Sequence, residues 1–283
     1  MKYTYIKTQD ELLAYLNRFE DKKFDVIALD LEAELNRHAY GERLCLVQIF
    51  DGVDTVLIDP FGIDKKFLKM LFESSNVLKV IYDASSDASL LKNTYDIEMK
   101  PIMDLRPAVD ILDYEKKDLH SVIAAELGVT LTKKSKYQKH NWTRRPIDPE
   151  ALDYALNDVT HLLRLKDAIL RKLVERGQLD LFYMKNLQIQ SKDFTKDPRD
   201  RYRKVKGYHD LTAEEKRTFR RVFDVREKYA KQCNMPSHNI VERTDLLDIA
   251  RDARHISEIR FPRRFSPELA QRIARELAEA ARG

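Results

Sequence analysis

Residues 24–50, FDVIALDLEAELNRHAYGERLCLVQIF, decide how the first part of the chain folds. Residues 26–29 form a short apolar run with the length and composition of a buried strand. Residues 44–50 form a second run, and a polar loop around Gly41 separates the two. This pattern predicts two strands that could pair as an antiparallel hairpin.

Two carboxylates, Asp30 and Glu32, end the first of these strands. Side chains two positions apart on a strand point to the same face, so these two lie side by side. Their like charges raise the cost of ionising either group unless a cation lies between them. A strand end capped by two solvated carboxylates would have the same spacing, so spacing alone leaves both interpretations open.

The composition limits the class of protein. A chain of 283 residues with 43% hydrophobic residues can bury a full core in one large domain or two modest ones. No apolar run approaches the ~18 residues of a membrane span, and the first residues lack the apolar core of a secretory signal. Two cysteines, Cys45 and Cys233, cannot build a disulfide framework or a cysteine zinc cluster. We therefore expect a cytoplasmic protein with no membrane contact.

The net charge of +4 is unevenly distributed. Residues 191–283 hold 23 Lys and Arg against 16 Asp and Glu, whereas residues 1–190 hold 28 against 31. The acidic part suits metal cations and the basic part suits polyanions such as nucleic acid.

Strands alternate with helices over residues 1–190, which predicts an α/β domain with a mixed sheet. Further strands are expected at 55–58, 77–82 and 102–103. Helices are expected at 8–19, 64–72, from residue 87, at 119–127, and as one long helix from Pro149 to Val174. Residues 191–207 are charged and poor in apolar residues, which predicts a linker. Residues 208–283 read as a small all-α domain with helices at 211–229, 244–253 and 267–281.

Three more polar side chains complete a candidate site. Asp87 follows the fourth strand, and Asp158 lies on the long helix one turn after Tyr154. Carboxylates at strand ends, where α/β sheets bind ligands, would repel each other without a cation, and hard oxygen ligands suit Mg²⁺ or Mn²⁺. Two such ions about 3.5–4 Å apart can clamp a phosphodiester for in-line attack. The hydroxyl of Tyr154 could orient the attacking water, although a packed core aromatic remains the alternative.

Three motifs together resemble ribonuclease D, in the Tyr-type branch of the DEDD superfamily of 3′–5′ exonucleases. They read ALDLEAE followed by LCLVQIFDG, then YDASSDASLL, then RRPIDPEALDYALNDVTHLL. The resemblance covers nearly the whole chain, because residues 208–283 resemble the family's helical HRDC nucleic-acid-binding domain. It implies an RNase H-like fold, and it implies the following site residues. The metal ligands would be Asp30, Glu32, Asp87 and Asp158, and the water-orienting residue would be Tyr154.

Some neighbouring side chains stay ambiguous or depart from the family. Asp83 competes with Asp87 on pattern alone, and the motif match favours Asp87. Tyr82 stands where the family often has His, and Asn141 stands where Asp is usual before Trp142. For the remaining polar candidates we expect a solvated Glu34, an exposed-face Gln48, a turn or supporting role for Asp104, and a surface or hydrogen-bonded His161.

Two basic regions are candidates for binding nucleic acid. The segment 133–145 mixes lysines with Tyr137 and Trp142, as single-stranded nucleic-acid grooves do. Arginines of the helical domain could pair with phosphates, namely Arg217, Arg220, Arg221, Arg260, Arg263 and Arg264. Solvated charged surfaces would look the same in both regions.

These expectations combine into a two-domain, metal-dependent 3′–5′ exoribonuclease with no small-molecule cofactor. It would trim single-stranded 3′ ends of structured RNA, such as tRNA precursors, and release nucleoside 5′-monophosphates. The alternatives are an exonuclease acting mainly on DNA and a non-catalytic nucleic-acid-binding scaffold of the same fold.

Overall fold

The computed structural model describes residues 2–22, 25–131 and 137–283. The chain divides into two compact units, one formed by Met1–Ala33 with Arg43–Thr195 and the other by Glu34–Glu42 with Lys196–Gly283. The division at 195/196 lies inside the predicted linker. Some residues used in the sequence analysis lie outside the described residues. They are Phe24, at the start of the quoted stretch, and three lysines of the predicted basic loop, Lys133, Lys134 and Lys136.

A six-stranded mixed sheet with helices on both faces forms the first unit, which confirms the predicted α/β class. The strands are β1 (Thr4–Ile6), β2 (Val26–Leu35), β3 (Glu42–Phe50), β4 (Thr55–Ile58), β5 (Leu78–Ile81) and β6 (Ile102–Asp104). Their order in the sheet is β1-β4-β3-β2-β5-β6. β3 runs antiparallel to β4, whereas β1 pairs with β4, and β5 with β2 and β6, in parallel.

Eight helices are described in this unit: α1 (Gln9–Lys22), α2 (Lys65–Phe72), α3 (Ser85–Tyr95), α4 (Arg106–Ile111), α5 (Leu119–Leu127), α6 (Pro149–Thr160), α7 (Leu162–Glu175) and α8 (Leu179–Ser191). Alternate residues of β2 bury themselves on opposite faces of the sheet. Ile27 and Leu29 pack with residues of α1, α2 and α3, whereas Ala28 packs with α4, α5 and α7. Asp30 and Glu32 continue the alternation on the Ala28 side.

The prediction of one helix from Pro149 to Val174 is wrong. α6 ends at Thr160 and α7 begins at Leu162, with His161 between them as a cap for both. The Thr160 hydroxyl donates a hydrogen bond to the Leu156 carbonyl at 2.5 Å. Such bonding back to the preceding turn bends helices, which accounts for the break after Thr160.

Four helices make up most of the second unit: α9 (Asp200–Arg203), α10 (Ala213–Gln232), α11 (Arg243–Arg251) and α12 (Pro267–Arg282). A capping box between Thr212 and Glu215 starts α10. The β2–β3 hairpin end also belongs to this unit, and Tyr40 packs against its hydrophobic core. Across the described parts of the chain, no helix combines the length and apolar composition needed to cross a bilayer.

Glu34, expected to be solvated, is instead 3% exposed. Its carboxylate accepts hydrogen bonds from the backbone N–H groups of Arg37 and His38. The hairpin end needs these bonds because its turn, with Asn36 at φ 58°, leaves amides without strand partners. Burial of Glu34 is therefore a correction to the sequence prediction.

Candidate active site

Three of the predicted carboxylates converge. One carboxylate oxygen each from Asp30, Glu32 and Asp158 lies within 4.8 Å of the others. Asp30 and Glu32 project from β2, and Asp158 is buried on α6. Asp158 is 126 positions or more from Asp30 and Glu32 in the sequence. The three carboxylates meet because β2 and α6 belong to adjacent layers of one unit.

The electrostatics of the group show mutual repulsion. Burial raises the pKa of Asp30 well above its usual range, and the charges of Asp158 and Asp87 raise it further. The pKa of Glu32 is also raised well above its usual range, by burial first and then by Asp30, Asp158 and Asp87. Carboxylates held in this way bind protons or cations more readily than solvated ones.

Asp87 lies near this group without belonging to the three-residue cluster. Its charge acts on both Asp30 and Glu32, and its own pKa is raised to about 7 by burial and by the charges of Asp83 and Asp104. Asp83 is exposed. The charge of Asp87, and not that of Asp83, is among the causes that raise the pKa values of Asp30 and Glu32. This favours Asp87 over Asp83 as the site residue.

Asp104 fixes the turn that presents Asp87. Its buried carboxylate accepts hydrogen bonds from the N–H groups of Asp83 at 2.8 Å and Ala84 at 3.0 Å. Asp83 adopts φ 66°, so the chain reverses sharply between β5 and α3 and places Asp87 in the first turn of α3. The sequence left a turn role and a supporting role open for Asp104. The structure shows that Asp104 holds the turn by these hydrogen bonds, and through the turn it supports the position of Asp87.

Tyr154 lies half-buried on α6, one turn before Asp158. Its ring centroid is 5.7 Å from that of Tyr137 and 6.2 Å from that of His120. Burial and the charges of Asp158 and Glu32 raise the pKa of its hydroxyl. A protonated hydroxyl beside the carboxylates can orient a water molecule but cannot act as a base near neutral pH.

His120 is a site residue that the sequence analysis missed. Its Nε2 lies 2.9 Å from Oδ1 of Asp158, and both side chains are 12% exposed. This hydrogen bond lowers the pKa of Asp158, although burial raises it by more. No spacing rule could link two residues 38 positions apart on different helices.

Gln48 corrects another expectation, since it is fully buried rather than on an exposed face. It lies on the interior strand β3 opposite Leu57 of β4, and Leu57 packs with residues of α6. Neither its Nε2 nor its Oε1 has a hydrogen-bond partner among the described residues. An alternating strand pattern could not reveal that a helix covers this face.

Arg145 holds the segment that leads into α6. Its Nη2 donates to Oδ1 of Asp59 at 2.9 Å and to the Cys45 carbonyl at 2.7 Å, and its guanidinium lies 4.2 Å from the Phe61 ring centroid. Asn141, one of the family departures, accepts from the N–H of Thr143 at 3.1 Å.

Tyr82, which stands where the family often has His, donates a hydrogen bond to the Lys117 carbonyl just before α5 at 2.5 Å.

Two of the arginines proposed to bind phosphate form hydrogen bonds within the second unit. Arg220 donates to the Tyr208 hydroxyl at 3.0 Å, and Arg221 donates to the Ala280 carbonyl at 2.6 Å.

Comparison with known proteins identifies the fold and the family. A family model described as 3′–5′ exonuclease matches residues 3–174. Ribonuclease D of Sphingobium indicum is 28% identical over 233 residues, covering 81% of this chain and 59% of that protein. The chain therefore spans about three fifths of that relative's length.

Two solved structures share the fold. Escherichia coli RNase D, described as an exoribonuclease involved in structured RNA processing, matches 100% of this chain and 75% of its own, with 23% identity and a TM-score of 0.76. The catalytic core of RRP6 from Trypanosoma brucei matches 99% and 80%, with 20% identity and a TM-score of 0.77. With the match over residues 3–174, the chain belongs to the 3′–5′ exonuclease family.

Proposed function

We propose that this chain is a metal-dependent 3′–5′ exoribonuclease that shortens single-stranded RNA 3′ ends and releases nucleoside 5′-monophosphates. The observation that carries the proposal is the approach of the Asp30, Glu32 and Asp158 carboxylates to within 4.8 Å in a chain of this family. Buried like charges at such a distance are costly unless their usual state includes a cation.

The exonuclease family implies divalent metal ions, and the donors present fit them. Carboxylate oxygens are the ligands that Mg²⁺ and Mn²⁺ prefer. Burial first, and then the charges of the neighbouring carboxylates, raise the pKa of both Asp30 and Glu32, and a bound cation would offset both effects. We propose that Asp30, Glu32 and Asp158, with Asp87, hold two such ions. Bound there, the ions would supply an activated water and stabilise charge on the leaving 3′ oxygen.

In this proposal the side chain of Tyr154 orients the attacking water. Its hydroxyl keeps its proton near neutral pH, since burial and the neighbouring carboxylates raise its pKa. It shares a helix face with Asp158, so both groups can reach the same reacting atoms. Orientation in the near-attack geometry is a substantial contribution to rate.

Structured RNA such as a tRNA precursor is the proposed partner. Support comes from relatives named ribonuclease D, and from the E. coli protein's description in structured RNA processing. We propose that the basic residues 208–283 act as an HRDC-type module that binds the body of the RNA through its phosphates. No cofactor besides the metal ions is needed, and we place the protein in the cytoplasm.

The test is degradation of a 5′-labelled RNA oligomer with an unpaired 3′ end, in Mg²⁺ or Mn²⁺. We expect a ladder shortening from the 3′ end, loss of activity in EDTA, and no turnover by Asp30→Asn while RNA binding is retained. Asp113→Asn, an exposed aspartate outside the cluster, is the matched control.

Three results would count against the proposal. Cleavage at the normal rate by Asp30→Asn would remove the carboxylates from the chemistry. Faster loss of a DNA oligomer of the same sequence would show a DNA exonuclease instead. Binding of RNA with no metal-dependent shortening would show a non-catalytic scaffold.

A further inference from the structure

The contact between His120 and Asp158 joins two elements of the first unit. His120 lies in the first turn of α5, and Asp158 lies near the end of α6. Nε2 of the imidazole is 2.9 Å from Oδ1 of the carboxylate, which is a full-strength hydrogen bond. With both side chains 12% exposed, water competes little for this bond.

The chemistry of the pair sets the direction of the bond. A carboxylate that binds a metal ion is ionised and can only accept, so in the metal-binding form the Nε2–H group of His120 donates the hydrogen bond to Oδ1 of Asp158. An oxygen held in this way stops the carboxylate from turning about its Cβ–Cγ bond. The direction of the second oxygen of Asp158 is then set as well, on a residue that must meet Asp30 and Glu32.

The backbone around His120 is itself held in place. Asp118 caps α5 by accepting hydrogen bonds from the N–H of Ser121 at 3.2 Å and from its hydroxyl at 2.6 Å. Val122 and Ile123, which follow in the same helix, are fully buried and pack with residues of α7. His120 is therefore presented by a rigid, packed helix rather than by a mobile loop.

We propose that His120 is a positioning residue that orients the Asp158 carboxylate for binding a divalent cation. This inference rests on the proposed function, because it assigns His120 a role only if the carboxylate cluster binds metal. Groups that hydrogen-bond to metal ligands commonly change metal affinity about 10–100-fold when removed. His120 does not touch the metal or substrate in this account and acts through Asp158 alone.

The test measures Mn²⁺ binding to the full chain without RNA, by calorimetry or by the loss of free Mn²⁺ signal in electron paramagnetic resonance. His120→Ala should weaken Mn²⁺ binding about 10–100-fold. His120→Gln should restore most of the affinity, because the Gln amide can place a donor near the position of Nε2. His161→Ala is the matched control, since His161 follows Asp158 by three positions at the α6–α7 junction.

A second measurement follows RNA degradation against Mn²⁺ concentration. The Mn²⁺ concentration for half-maximal rate should rise in His120→Ala by the same factor as the dissociation constant, while the rate at saturating Mn²⁺ approaches that of the original protein. Unchanged Mn²⁺ affinity in His120→Ala, or equal weakening in His120→Gln, would overturn the inference. If the unaltered protein binds no Mn²⁺, the proposed function fails instead, so the two failures are distinguishable.

Discussion

Replacing Asp30 by Asn should stabilise the protein whenever divalent cations are removed. Carboxylate oxygens of Glu32 and Asp158 lie within 4.8 Å of one from Asp30, and at an effective dielectric of ~20 each pair of charges costs about 3 kcal/mol. The raised pKa of Asp30, caused by burial and by Asp158 and Asp87, shows that folding penalises its ionised form. Asn resembles the protonated acid in shape and carries no charge.

The pH dependence sets an upper limit on the gain. A carboxyl with a raised pKa takes up a proton on folding, which costs about 1.4 kcal/mol for each pH unit above its ordinary value near 4. The limit is therefore about 4 kcal/mol at pH 7 and about 1 kcal/mol at pH 5. The penalty is absent below the unfolded-state pKa and grows as pH rises towards the folded-state pKa. We expect Asp30→Asn to raise the free energy of unfolding by about 2–4 kcal/mol at pH 7 and by about 1 kcal/mol at pH 5.

Urea unfolding in EDTA at the two pH values measures this difference. Asp113→Asn, which changes an exposed aspartate, should behave like the unaltered protein at both pH values. In saturating Mn²⁺ the order should reverse, because the unaltered protein gains binding energy that Asp30→Asn has lost. An Asp30→Asn protein that is no more stable than the original in EDTA at pH 7 would refute the reasoning about charge repulsion.

Three further changes have expected outcomes of their own. Tyr154→Phe should lower the rate of RNA degradation about ten- to a hundredfold at unchanged melting temperature, because the orienting hydroxyl is lost, and an unchanged rate would remove its role. Gln48→Leu should raise the free energy of unfolding by about 1–2 kcal/mol in urea melts, since a buried amide without a partner is replaced by an apolar group; destabilisation would show that the amide is satisfied. Arg145→Lys should lower the free energy of unfolding by about 1–3 kcal/mol, because lysine cannot reproduce the paired hydrogen bonds to Asp59 and the Cys45 carbonyl. An unchanged urea midpoint would contradict this expectation.

The sequence predicted those parts of the fold whose signals are local. Apolar runs marked β2 to β6 within a few residues, and the helix over 119–127 was found with the bounds of α5. Strand β1 was missed because Thr4–Ile6 is too short to show a period, and α8 was missed because its apolar residues lie on both of its faces. In α8, Leu181, Met184 and Leu187 are exposed whereas Phe182 is buried, and periodicity cannot separate these positions because exposure depends on what packs nearby.

For the candidate site, motif spacing brought Asp30, Glu32 and Asp158 to attention, and the structure places them together. The hydrogen bond from His120 and the burial of Gln48 depend on layers that meet only in the folded chain. Sequence patterns describe which face of an element a residue takes, but not which other element covers that face.

The hydrogen bonds between Asn186 and Asp104 have a consequence for shortened versions of the protein. The family match ends at residue 174, yet Asn186, on α8, accepts from the N–H of Asp104 at 2.7 Å and donates to its carbonyl at 3.2 Å. A fragment trimmed to residue 174 would remove these two hydrogen bonds from the edge strand β6. It would also remove Phe182 from the hydrophobic cluster in which that side chain is buried. The smallest fragment that keeps the Asp87 turn in place should therefore extend to residue 195, where the first unit ends.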